Sequence, residues 1–523
     1  MKKPEPRATE TPLSKALRRY LYITAACTGA AIMVVEILGA KMLSPYFGLS
    51  HFVWTAQIAV TLVALASGYY AGGRLADRSQ ELPWLYWSIL GAAVYLALSV
   101  LICRPVSFWC LEFNLALGSL LASMILFFLP LALLAMTGPF LVRVLTSSVA
   151  GVGGNVGRLT AIGTLGSFAG TMLIGYLMIP LMPNSLAMCL TALLLGAVCV
   201  VFFIAFRPSS PAPMLLLPAL GLVIWIILLQ GQKHQYKWVV EQFSGNSNFG
   251  RLQVVDRDDG SCRFYLNDNL TQNTYDPDSK QSESQFTYML AGLARAYTSN
   301  ITDVLCIGLG VGIVPMDFAH RGANVDVVEI NPAVVPVAVQ FFDLETNKIH
   351  LTIDDARHFL NRCQKQYDAV VLDAFLGDSS PSHLMTREAF ASIRHVLRPG
   401  GTLTINMFGS VKKGEDYFAA SLARTLREVF SGVKLHDGDG AIFFAANARS
   451  PLEFAHQPDF EGIHPIAATD VASTFANVVQ ADPTHGRVLT DDYNPIEFYD
   501  AKHREETRRR LANNNQKMFE LRL

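Results

Sequence analysis

Three acidic residues stand at the ends of apolar runs that read as successive β-strands, and a glycine loop ends the first run. The loop is GLGVG, with Gly308, Gly310 and Gly312. Glycine here lets the backbone turn sharply and approach a ligand over the N-terminus of the following helix. A pyrophosphate-binding fingerprint would need glycine at 313, where Ile313 stands. The spacing therefore suits a nucleoside without a pyrophosphate. Glu329 ends the second run, seventeen residues after Gly312. A carboxylate at that place accepts both hydroxyls of a ribose. The third run leads into Asp354, Asp355 and Ala356, placed for an adenine amino group, and the fourth ends in Asp373. A single acid at a strand end is often a solvated loop residue or a helix cap. The ordered set points instead to a nucleoside site at the carboxyl ends of a parallel sheet.

The elements that must position these residues are strands over 304–308, 325–330, 350–353, 369–373 and 402–406. The runs between them have helical spacing. Continuous apolar strands alternating with helices mean a buried parallel sheet covered on both faces. Ahead of it, 238–275 reads as short strands broken by Gly and Asn, a small β-subdomain.

The rest of the chain has another character. Of 523 residues, 51% are hydrophobic and 16% charged, against about a quarter charged in soluble chains. The shortfall is local: residues 20–230 hold eleven Asp, Glu, Lys or Arg, and residues 231–523 hold 66. The first part is expected to be a membrane domain. Runs long enough to cross the hydrocarbon lie at 20–43, 53–73, 84–103, 115–142, 160–182, 185–206 and 213–230, seven in all. The basic tail, residues 1–19, and the loop Gly72–Arg78 both suggest the cytoplasmic side. Seven spans from an inside N-terminus would put the C-terminal part outside, a parity conflict with the cytosolic origin of the ligand inferred below. Glu36 lies within the first run and is either a functional carboxylate or a polar packing group. The pairs Gly68/Gly72 and Gly166/Gly170 are spaced for close helix packing.

Disorder, a secreted disulfide scaffold and a purely soluble enzyme do not fit this composition. The net charge of −1 gives no field that would attract nucleic acid. Eight scattered cysteines without a CxxC pair imply a reducing compartment and no thiolate metal site. The expected organisation is an α-helical transmembrane bundle over 20–230, a small β-subdomain over 231–300 and an α/β Rossmann-like domain over 301–523.

The order of glycine loop and acids resembles the S-adenosylmethionine methyltransferase fold. The stretch from Ser247 through RLQVV, LND (266–268), Gln272 and SESQFTYML (282–290) resembles the N-terminal part of the polyamine aminopropyltransferases, the spermidine synthases. CIGLGVG, VVEIN, DDARHFL and VVLDAF follow in that family's order and spacing, so the resemblance covers 240–450. With its apolar first half, and with LTDDYNPIE (489–497), the chain is similar to bacterial membrane-fused spermidine synthase-like proteins.

The resemblance implies a mechanism. An amine attacks the aminopropyl carbon of decarboxylated S-adenosylmethionine, methylthioadenosine leaves, and a carboxylate accepts the amine's proton. Asp373 matches the catalytic aspartate, and Gln272, Glu329 and Asp355 match cofactor-binding positions. No metal is implied. Departures stand beside these matches. Val311 and Leu376 occupy places where the family carries aspartates, and Phe286–Thr287–Tyr288 aligns with its YHE segment. Asp378, Asp491, Asp492 and Glu497 are candidate substitutes in binding the amine. His383 is a candidate base or substrate ligand, although a lone loop histidine is more often structural.

The expected partners are a small amine or polyamine and the lipid bilayer, with no nucleic acid; a homodimer is left open. The expected location is a bacterial inner membrane, with the catalytic domain cytoplasmic. Two alternatives remain. One is a methyltransferase using S-adenosylmethionine itself. The other is a transport or sensing protein whose soluble domain binds a nucleoside without chemistry.

Overall fold

The computed structural model describes residues 13–48, 51–146, 152–207, 218, 221–226, 238–268, 270–375, 381–438, 440–482, 485–499, 505–506 and 509–510. The chain divides near residue 233 into a helical unit and a sheet-containing unit.

Six helices of the first unit are long and apolar enough to cross a membrane: Lys15–Phe47, His51–Arg78, Leu82–Cys110, Leu115–Leu145, Val152–Leu181 and Asn184–Phe206. They contain the first six apolar runs. The seventh, 213–230, lies mostly outside the described residues. Both glycine pairs are contact points between helices. A Cβ on Gly166 would lie 2.1 Å from the Ala26 carbonyl oxygen, and one on Gly170 would lie 2.6 Å from that of Ala30. Gly68 and Gly72 likewise press on the backbone at Ala132 and Met136. Only glycine permits such approach, which brings backbones into van der Waals range.

The second unit holds two sheets. Strands β1 (Val239–Ser247), β2 (Gly250–Arg257), β3 (Arg263–Asn267), β4 (Leu270–Asp276) and β5 (Gln281–Ser282) form an antiparallel sheet in sequence order. The larger sheet contains β6 (Asp303–Ile307), β7 (Asn324–Glu329), β8 (Ile349–Ile353), β9 (Tyr367–Leu372), β10 (Leu397–Phe408), β11 (Gly432–Asp437), β12 (Ala441–Asn447) and β13 (Val478–Val479). Its order is β13-β11-β12-β10-β9-β6-β7-β8. The five expected strands are β6 to β10, all parallel to their neighbours within that group. The antiparallel β11 and β12 extend the sheet beyond β10; they and the short β4, β5 and β13 are additions to the sequence reading.

Alternation along β6 shows why the sheet is covered on both faces. Leu305 and Ile307 pack with Leu360, Phe390 and Leu422 from helices on one side. Val304 and Cys306 pack with Leu290, Val314 and Val337 from helices on the other. Successive strand residues point to opposite faces, so each layer of helices finds its own apolar row. Truncating one such residue, Leu305→Ala, would cost about 2–5 kcal/mol.

Counted from β6 as the first strand, the order reads 3-2-1-4-5-7-6-8 with the seventh antiparallel to the fifth. This is a Rossmann-like sheet of the methyltransferase type. From β6 the chain moves to β7 on one side, and from β9 to β10 on the other. A crevice therefore opens beyond the carboxyl ends of β6 and β9, where a ligand can enter between diverging connections.

Candidate active site

Three neighbouring strands deliver the centre of the site. The register pairs Ile307 with Leu372, and Leu372 with Ile405. One residue further, the chain places Gly308, Asp373 and Asn406 side by side at the strand ends. The Asp373 N–H donates to the Ile307 carbonyl at 3.0 Å, and the Gly308 N–H donates to the Val328 carbonyl at 2.9 Å. Gly308 has φ +96°, and a Cβ there would lie 2.3 Å from the Asp373 carbonyl oxygen. The position therefore accepts only glycine on both conformational and steric grounds. Gly310, also at positive φ, faces open space and lines the cleft. Gly312 lies under the loop at the start of the helix Ile313–His320.

Glu329 ties this loop to the end of β7. Its Oε2 accepts from the Leu309 N–H at 2.8 Å, and its Oε1 accepts from the Asn331 N–H at 2.7 Å. Burial pushes the Glu329 carboxyl above its ordinary range, while the N–H groups of Leu309, Asn331 and Ile330 draw it back. A carboxylate has about four acceptor sites, so one that orders the loop still has capacity for hydroxyls in the cleft.

Asp355 caps the helix Ala356–Arg362, accepting from the Arg357 N–H at 2.8 Å and the His358 N–H at 3.1 Å. Its other oxygen lies 3.2 Å from His383 Nε2. Asp354 pairs with His358 at 2.7 Å. Asp373 is half-buried at the cleft floor. Desolvation pushes its carboxyl up to about 6, and the Asn406 side-chain amide, donating at 2.9 Å, acts in the opposite direction.

Gln272, Gly308, Gly310, Glu329, Asp355, Ala356, Asp373 and His383 all line one cleft. Asp491 and Asp492 do not. Asp491 accepts from Arg357 at 2.7 Å and from the Thr386 hydroxyl at 2.6 Å, and the Thr386 bond leads in holding its carboxyl below the usual range. It braces the helix that Asp355 caps, and Asp492 is exposed beside it. Asp378 and the Glu497 side chain lie outside the described residues. Asp416, Asp482 and His485 come close enough to hold a cation, but none of them lines the cleft.

The sequence reading missed Asn406 and the aromatic walls Phe249, Phe375 and Phe408. A polar side chain inside the apolar run TLTINMF was the available signal for Asn406. Four carboxylates and one histidine line the cleft, and no Lys or Arg is among its described lining residues. Such a surface favours a positively charged ligand. A glycine loop, an acid at the end of the second strand and a capped helix after the third border this cleft together.

The order of the larger sheet is that of a Rossmann-like domain of the methyltransferase class. Within that class, residues 283–436 match the Spermine/spermidine synthase domain, and the C-terminal half of the chain carries that domain. The chain is 28% identical over 232 residues to a polyamine aminopropyltransferase of Vibrio vulnificus, covering 42% of this chain and 77% of that one. It is 34% identical over 149 residues to an N-terminal histidine N-methyltransferase of Emericella nidulans, covering 28% and 26%. A probable polyamine aminopropyl transferase of Bifidobacterium longum is 25% identical over 278 residues, covering 49% and 61%. The match thus spans less than two thirds of two of these three relatives. Among solved structures, a probable spermidine synthase from Corynebacterium glutamicum aligns with TM-score 0.37 and 16% identity, covering 48% of this chain and 92% of that one.

Proposed function

We propose that the sheet-containing unit transfers an aminopropyl group from decarboxylated S-adenosylmethionine to an amine and releases methylthioadenosine. The observation that carries this reading is Asp373, a carboxyl raised to about 6 at the floor of an acid-lined nucleoside cleft. An amine protonated at neutral pH is not a nucleophile, and a base matched to the operating pH makes it one. Asp373 is largely ionised at pH 7 and still basic enough to help take the proton. Glu329 and the glycine loop hold the ribose, and Gln272, Asp355 and Ala356 border the nucleoside. His383 orients through Asp355.

The transfer balances as a single displacement. The amine nitrogen bonds to the aminopropyl carbon as the carbon–sulfur bond breaks, and the electron pair stays on sulfur. The ammonium proton passes to Asp373 and then to solvent. The positive charge of the sulfonium is offset by the cleft carboxylates until it is lost.

Methyl transfer from S-adenosylmethionine is the second reading, favoured by the methyltransferase names among the relatives. Incubation of purified protein with each sulfonium and an amine panel, with the nucleoside product identified by mass spectrometry, separates the two. Methylthioadenosine supports aminopropyl transfer; S-adenosylhomocysteine alone overturns it.

The helical unit is read as the membrane anchor, with residues 231–523 in the cytoplasm, where adenosyl sulfoniums are made. Single-cysteine variants at Ser244 and Ser450, treated in intact cells with an impermeant thiol reagent, test the sidedness. Labelling only after permeabilisation supports it, and labelling without permeabilisation overturns it.

A further inference from the structure

We infer that the acceptor is an amine with one charged nitrogen and an apolar or aromatic body, not a diamine. This rests on the aminopropyl-transfer reading and names the substrate class of the same site. Of the four carboxylates among the described lining residues of the cleft, three have a hydrogen-bond partner at both oxygens. Glu329 holds two backbone N–H groups, Asp354 holds His358, and Asp355 caps a helix and meets His383. Asp373 differs: Asn406 occupies Oδ1, and Oδ2 accepts no hydrogen bond among the described residues. Among the described lining residues it is the one carboxylate oxygen without a hydrogen-bond partner, and it is where we place the single ammonium.

Aromatic side chains line the same cleft beside Asp373. Asn406 and Phe408 are two residues apart on β10, so they share a face of the sheet. Phe375, two residues after Asp373, meets Phe408 edge to face, with ring centroids 5.3 Å apart. Both rings line the cleft, together with Leu384 and Ala441. Val311, buried, stands where the resembling family carries an aspartate. A second ammonium brought against these rings would lose water without gaining an anionic partner among the described residues. A hydrocarbon chain or ring would gain from the same burial, with the single ammonium on Asp373 Oδ2.

The test uses the full-length protein in detergent with decarboxylated S-adenosylmethionine held constant. Putrescine is compared with butylamine, hexylamine and phenethylamine, and kcat/KM is read from methylthioadenosine release. The monoamines are expected to exceed putrescine by about tenfold or more, because putrescine must bury a second ammonium without an anionic partner. Phe375→Ala and Phe408→Ala are expected to raise KM for phenethylamine more than KM for butylamine. Putrescine turning over as well as or better than the monoamines would overturn the acceptor inference and leave aminopropyl transfer standing. Absence of methylthioadenosine with every amine would overturn both.

Discussion

The side-chain amide of Asn406 donates to Oδ1 of Asp373 at 2.9 Å, across the parallel pair β9–β10. A hydrogen bond to the ionised form of a carboxyl lowers its pKa, whereas burial raises it. Asn406 therefore keeps a desolvated Asp373 basic but ionised near neutrality. It is a positioning residue, acting through the aspartate.

Asn406→Ala removes the donor and leaves the burial. The Asp373 carboxyl, already raised to about 6, should rise further, so a larger fraction is protonated at any pH below neutrality. The acid limb of kcat/KM for the sulfonium is expected to move to higher pH by about one unit, the value of one hydrogen bond to a charged group. A pH profile superimposable on that of the parent protein would show that Asn406 does not tune Asp373.

The same raised value has a stability consequence. A carboxyl with a folded pKa above its unfolded value binds more protons in the folded state. Stability contributed by this group is therefore present below the unfolded value near 3.8 and lost as pH rises through about 6. Asp373→Asn should remove this dependence, and thermal melts across that window would show a flatter profile than the parent gives.

Glu329→Ala should weaken methylthioadenosine binding at least about tenfold. Two hydrogen bonds to a charged group are lost from the ribose side, and the Leu309 and Asn331 N–H groups lose the carboxylate that orders the loop. Calorimetry reads this directly, and unchanged affinity would remove Glu329 from the nucleoside site.

Much of this arrangement was legible before any coordinates. The runs of β6 to β10 are short, continuous and apolar, and their ends carry the glycines and acids. What stayed hidden depends on pairing across long separations. Asn406 gains its meaning only when Ile405 pairs with Leu372. Asp491 looks like a spare acid in LTDDYNPIE until Arg357 is found beside it. The aromatic pair Phe375–Phe408 joins the segment after β9 to the end of β10, which no local periodicity connects. In the helical unit, the small-residue spacing already pointed to packing, and the backbone contacts at Gly166 and Gly68 agree with it.

Within that unit, two glycines of one helix should respond in opposite ways. Gly166→Ala drives a Cβ into the Ala26 carbonyl and should lower the melting temperature in detergent. Gly157 has open space around its Cβ position, so Gly157→Ala should be neutral or stabilising by up to about 1 kcal/mol. Equal melting shifts for the two variants would contradict close packing at Gly166.

The central claim is that Asp373 takes a proton while an aminopropyl group moves to an amine. The most direct measurement is methylthioadenosine formation from decarboxylated S-adenosylmethionine by the parent protein and by Asp373→Asn, with nucleoside affinity measured on both. The account predicts turnover lower by about 10²–10⁴ in the variant, with methylthioadenosine binding nearly unchanged. Full turnover in the Asn variant, or no methylthioadenosine from the parent protein, would contradict it.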